Sequence, residues 1–150
     1  MARDGGNPSG LLAALSGVGP LARQLNQAHT RLWHEQVHQS VTGPQFTVLS
    51  LLHTHGPMDQ RTLGSLAHLD KSTAAPLLDR LRQRNLIDIT RDSGDRRRKV
   101  ARITDQGREL AARLAPAVTA VSEQLLDPLS DQEKAHFLTL LRRTVRAVQE

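Results

Sequence analysis

The sequence predicts a mainly α-helical chain with one small β-hairpin, and three observations point there. Leu, Val, Ala and Ile recur at helical spacing along most of the 150 residues. Aromatic residues make up only 2% of the chain against 38% hydrophobic residues overall, so the core must be aliphatic side chains packed helix on helix. One stretch, Ile87 to Ile103, instead alternates apolar and polar residues around Asp92-Ser93-Gly94-Asp95, the pattern of two strands and a tight turn.

Met1 to Ser9 is rich in Gly, Asn and Pro and is expected to be loose, after which Leu11, Leu12 and Leu15 mark a short helix interrupted by Gly17, Gly19 and Pro20. Residues 1–20 are therefore read as a flexible extension carrying a short helix, and residues 21–150 as one domain. Leu21, Leu25, Ala28, Leu32, Trp33, Val37 and Val41 predict one amphipathic helix from Leu21 to Ser40. Thr42 and Gln45 form a capping box with Pro44 in the first turn, so a second helix starts near Gly43 and ends before Gly56 and Pro57.

Asp59 can cap a short helix carrying Leu63, Leu66 and Ala67, and Asp70 or Ser72 can cap another carrying Leu77, Leu78 and Leu81. Two short helices this close read as a helix-turn-helix. Asn85 stands where the chain needs a left-handed residue, Ile87 and Ile89 begin a strand, and the return strand is expected from about Arg98 to Ile103. The result is a two-stranded wing. Thr104 caps a long helix through Leu110, Leu114 and Val121 with a bend expected at Pro116, and a Ser130/Glu133 capping box opens a last helix with Leu138, Leu141, Val145 and Val148 on one stripe. A winged helix-turn-helix over about 43–104 is thus flanked by helical regions at about 21–41 and 105–150.

The formal net charge of +5 favours an acidic partner, of which a phosphate backbone is the commonest. Arg91, Arg96, Arg97, Arg98, Lys99 and Arg102 crowd the wing; alone they read equally well as a solvated loop, but behind a helix-turn-helix they suit a neighbouring backbone or minor groove. The candidate DNA-binding residues are Lys71, Ser72, Thr73 and Arg80 on the second short helix, with Asp95, Arg96, Arg97, Arg98 and Lys99 on the wing, Asp95 orienting a wing arginine. The absence of cysteine excludes disulfides, thiolate nucleophiles, cysteine-ligated zinc and thiol redox sensing. No apolar run approaches the roughly 18 residues of a membrane helix and no signal peptide is evident, so a cytoplasmic protein with no membrane partner is expected.

Gln45-Phe46-Thr47-Val48-Leu49, Leu63-Gly64-Ser65-Leu66, Asp70-Lys71-Ser72-Thr73, Leu81 to Ile87, Asp95-Arg96-Arg97 and Ile103-Thr104-Asp105-Gln106-Gly107 occur in this order. Together they resemble the MarR (multiple antibiotic resistance regulator) family, over about Leu21 to Glu150. The resemblance implies a ligand-responsive homodimer, usually a repressor, with dimerisation helices from both ends of the chain. It also implies one winged domain per subunit on a pseudo-palindromic operator of double-stranded DNA, and an anionic aromatic effector such as an aromatic carboxylate. Two positions depart from the family pattern: Pro76 falls inside the expected recognition helix, and Asn85 replaces the Gly usual at that corner.

Trp33 is either a core residue or, with Phe46, the aromatic wall of an effector pocket to which His29, Arg31 and His34 lend hydrogen bonds or positive charge. His34-Glu35-Gln36-Val37-His38 also spells H-E-x-x-H, which on a helix sets two imidazoles on one face for zinc. A metal-dependent hydrolase, or an architectural DNA-binding protein without effector, are accordingly the alternatives. The expected protein is not an enzyme and has no catalytic residue, metal or cofactor.

Overall fold

The structure, a computed structural model, describes residues 8–38 and 40–149; the loose segment expected at the start of the chain lies largely outside them. Helix α1 (Pro8–Leu15) is followed by α2 (Val18–Val37), α3 (Gly43–His55), β1 (Met58–Asp59), α4 (Gln60–Leu66), α5 (Lys71–Gln83), β2 (Ile87–Arg91), β3 (Lys99–Ile103), α6 (Asp105–Leu125) and α7 (Asp131–Gln149). The chain divides into two compact units, Met1–Gln36 with Ala120–Glu150, and Val37–Thr119.

Local chemistry sets most of these boundaries. The Thr42 hydroxyl accepts from the Gln45 amide at 3.3 Å while the Gln45 side chain accepts from the Thr42 amide at 3.0 Å, closing the box that starts α3. Ser130 and Glu133 repeat it at α7, and the Ser130 amide holds the Glu133 carboxyl below the ordinary carboxylate range. Both short helices end in one type of turn. In α4 the His68 and Leu69 amides reach back to Ser65 and Gly64, and in α5 the Asn85 and Leu86 amides reach back to Arg82 and Leu81. These are Schellman closures, and they hold His68 (φ 55°) and Asn85 (φ 56°) in the left-handed region.

The unit Val37–Thr119 owns a continuous aliphatic core. Val48, Leu49 and Leu52 of α3, Leu63 of α4, Leu77, Leu78 and Leu81 of α5, and Leu86, Ile87, Ala101 and Ile103 around the strands are all buried. Removing a side chain such as Leu81 would cost about 2–5 kcal/mol. The start of α6 is stapled to the α5 corner: the Thr104 hydroxyl donates to the Asn85 carbonyl at 2.6 Å and accepts the Gly107 amide at 3.0 Å. Gly107 is there for clearance, since a Cβ on it would lie 2.1 Å from the Leu86 carbonyl oxygen.

In the other unit, Leu32, Trp33 and Val121 are buried, and the Gln36 side chain donates to that of Gln124 at 3.0 Å. This unit also carries nearly all the exposed large apolar side chains, including Leu11, Leu12 and Leu15 of α1, Val18 and Leu21 of α2, and Leu140, Leu141, Val145 and Val148 of α7.

Two elements differ in extent from what the sequence predicts. The helix expected over Leu21 to Ser40 runs Val18–Val37 instead, stopped where His38 turns left-handed (φ 50°) and the Ser40 hydroxyl takes up the Val37 carbonyl. The expected hairpin of β2 and β3 is present, and β1 extends it to a three-stranded antiparallel sheet ordered β1-β3-β2 with Met58 opposite Ala101 and Ile87 opposite Ile103. Its return strand opens at Lys99, because the Arg98 amide is bonded to Asp95 in the turn. Helix α6 carries Pro116 within it, as expected.

Candidate nucleic-acid interface

The interface is built on the two short helices and the sheet edge beside them. Asp59 ends β1 and caps α4, accepting the Thr62 amide at 3.0 Å on Oδ1 and the Thr62 hydroxyl at 2.8 Å on Oδ2. That same Oδ2 accepts from the Arg98 guanidinium at 3.2 Å, and Asp92 holds the other arm of Arg98 at 3.7 Å. Thr62 first, then Arg98, keep the Asp59 carboxyl ionised down to about 2. One carboxylate therefore both starts a helix and braces the wing.

Asp70 does the corresponding work for α5. It accepts the Thr73 amide at 2.7 Å and the Ser72 hydroxyl at 2.8 Å, and its pKa is lowered by the Thr73 side chain first and then by Ser72. The wing turn is shaped by bonds to its main chain: the Asp92 amide donates to the Arg98 carbonyl, the Asp92 side chain accepts the Gly94 amide, and the Arg91 guanidinium donates to the Arg96 carbonyl. Asp95 accepts the backbone amide of Arg97 at 3.0 Å, so it fixes the turn on which the arginines stand; the guanidinium that carboxylates hold is that of Arg98, through Asp59 and Asp92.

These elements surround a groove of about 550 Å³ lined by Arg61, Lys71, Arg97, Arg98 and Lys99, with Asp59 as its acidic residue and Ala74, Ala75 and Leu78 among its wall. Beyond the Arg98–Asp59 pair, Arg61, Lys71, Arg97 and Lys99 leave this surface strongly positive, a chemistry able to hold phosphate oxygens. The structure thus joins Lys71 to Arg97, Arg98 and Lys99. Arg96 and Arg97 stand exposed in the turn, Arg80 stands exposed on α5 outside the groove, and Ser72 and Thr73 lie in the first turn of α5, where they donate to its cap, Asp70. Arg61 and the bracing role of Asp59 escaped the sequence reading; Arg61 lies one residue into α4, where only the neighbouring sheet reveals that it faces the wing.

The candidate effector residues distribute differently. His29 and Trp33 lie with ring centroids 5.8 Å apart, and Trp33 is buried. Arg31 and His34 face away from that pair, along a shallow groove of α2 with Asn26, Thr30 and Glu35. Phe46 is half-buried on α3, in the winged unit. The H-E-x-x-H segment does not keep the spacing its chemistry needs, because His38 lies beyond the end of α2 in a left-handed conformation. Among the described residues no group of three His, Asp or Glu side chains is placed to hold a metal.

Comparison with known proteins gives consistent answers. A model of the MarR family matches residues 41–99. The HTH-type transcriptional repressor NicR of Pseudomonas putida is 32% identical over 129 residues, covering 85% of this chain and 82% of NicR. The PcaV transcriptional regulator of Streptomyces coelicolor, solved with its natural ligand, superposes with a TM-score of 0.85 at 39% identity over 89% of this chain and 96% of PcaV. Bordetella bronchiseptica BpsR, whose DNA binding is regulated by 6-hydroxynicotinic acid, gives 0.83 at 25% identity over 87% and 94% of the two chains.

Proposed function

Because this chain belongs to the MarR family of transcriptional regulators, we propose that it is a homodimeric repressor, acting in the cytoplasm, that grips a pseudo-palindromic operator and lets go when an aromatic acid binds. The observation that carries the DNA-binding half is the cationic groove between α4, α5 and the wing, with the exposed face of α5 beside it. In this reading Arg61, Lys71, Arg97, Arg98 and Lys99 hold phosphates, Arg96 reaches past the wing tip, and the outward side chains of α5, Arg80 included, read base edges.

The dimer is supported by where the apolar surface lies. Leu21 is 57% exposed, Val145 48% and Val148 85%, all in one unit, and a second copy is the partner that covers a repeated patch of this kind with closed symmetry. The effector half is supported by PcaV, solved with its natural ligand, and by BpsR, whose DNA binding is regulated by 6-hydroxynicotinic acid. An aromatic carboxylate suits an indole with an imidazole beside it, the pair that Trp33 and His29 provide on α2 with ring centroids 5.8 Å apart. To release DNA it must favour the unbound arrangement of the two winged units, and a coupling of about 1–3 kcal/mol weakens operator binding roughly 5 to 150-fold.

The test is a titration of the full-length protein with 6-hydroxynicotinic acid and related aromatic carboxylates, followed by Trp33 emission and by release of a fluorescent operator. Trp33 is the only tryptophan, so its emission has a single source. Release with a matching change in emission is expected, and operator DNA must weaken effector binding by the same factor. If no aromatic acid releases DNA, the effector half fails. If purified protein hydrolyses peptides with bound zinc, the hydrolase reading replaces it.

A further inference from the structure

If α5 reads DNA as proposed above, its outward face sets which sequence it chooses. Leu77, Leu78 and Leu81 mark the inward face of this helix. At about 100° per residue, the opposite face carries Ser72, Pro76, Asp79 and Gln83, with Ala75 and Arg80 at its margins. Two of the polar groups are committed within the chain. Ser72 gives its hydroxyl proton to Asp70 at 2.8 Å, and Asp79 accepts from Arg82 at 2.8 Å and Gln83 at 2.7 Å. The middle of the face is then the exposed ring of Pro76, with the exposed methyl of Ala75 at its margin.

Pro76 needs a reason. Proline is the poorest residue for a helix interior, and it leaves the Ser72 carbonyl without its i+4 donor. Its ring is exposed, so no core packing offsets that loss. This apolar step lies between the exposed cations Lys71 and Arg80 and beside a groove lined by Arg61, Arg97 and Arg98, a setting complementary to a polyanion. The apolar group that the major groove displays at base edges is the C5-methyl of thymine. We propose that Pro76, with Ala75 beside it, packs on a thymine methyl in each half-site and makes α5 selective for thymine at that step.

The test begins by selecting duplexes from a random DNA pool with the full-length protein, then measures binding of the winning duplex with each thymine replaced in turn by deoxyuridine, which lacks only the methyl. The wild-type protein should bind about fourfold more weakly at one position per half-site, the factor that burying one methyl-sized group carries, and about sixteenfold when both half-sites are changed. The Pro76→Ser variant should melt no lower than wild type, since serine suits a helix better, and should bind thymine and deoxyuridine alike at that position only. Indifference of the wild type to deoxyuridine throughout, or undiminished discrimination in Pro76→Ser, overturns the thymine inference and leaves the regulator reading standing. A pool that yields no enriched sequence overturns the regulator reading, and this inference with it.

Discussion

Replacing Asp59 by Asn isolates the charge that joins α4 to the wing. Asparagine caps helices as well as aspartate does, so the 3.0 Å bond from the Thr62 amide can survive. What disappears is the negative charge opposite Arg98, and an NH2 group takes the place of an oxygen that now accepts both Thr62 and Arg98. The Asp59 pKa lies at about 2 against an ordinary 3.8, which would correspond to at most about 2.5 kcal/mol at neutral pH. Solvent screens the pair, because Arg98 is 55% exposed, and we expect a loss of about 1 kcal/mol. The sign of the pH dependence follows from a depressed carboxylate. Its contribution is present in full above the unfolded value near 4 and fades as the pH falls towards 2. Urea unfolding of both proteins should therefore show a gap of about 1 kcal/mol at pH 6 that closes between pH 4 and pH 2. In a double-mutant cycle, Arg98→Ala should share at least half of that loss with Asp59→Asn. A gap that stays constant down to pH 2, or strictly additive single variants, would refute the brace.

Gly107→Ala should destabilise the winged unit by about 3 kcal/mol, read as a drop in midpoint temperature, since the new methyl would sit 2.1 Å from the Leu86 carbonyl oxygen; an unshifted melting curve means the helix can slide clear. Arg97→Ala should weaken binding to all duplexes alike and reduce the slope of log affinity against log salt by about one unit, and a changed sequence preference at unchanged slope would reverse the roles given to wing and helix. Introducing charge at Leu141 and Val145 together, both exposed on α7, should yield a species that sediments as a monomer; an intact dimer would move the interface elsewhere.

Short-range chemistry was legible from the residues. The Thr42 and Ser130 boxes, the Asp59 and Asp70 caps and the left-handed Asn85 each depend on neighbours within four positions, and each stands where those residues place it. What was not legible depends on residues far apart. The pair Asp59–Arg98 spans 39 positions, and Arg61 joins the cationic groove only because β1 lies beside β3. Strand β1 itself is two residues long, too short for a period of two to register. Nor does residue type announce that His38 turns left-handed, which is what ends α2 and breaks the apparent metal motif. The effector set was scattered by helix phase: Trp33 is four residues from His29 and lies beside it with the rings tilted 36°, while Arg31 and His34 turn to another side of α2.

Met58 and Asp59, the two residues of β1, change what kind of object the wing is. A free hairpin would be a flail, sampling many poses and surrendering that freedom each time it met a duplex, at roughly 1–2 kcal/mol for every residue stilled. Stitched along its inner edge to the segment that launches α4, β3 is held from both sides. The freedom was given up once, during folding. In the DNA-binding reading proposed above, the cations on it would meet each duplex as a pre-set template, with little freedom left to surrender at that moment.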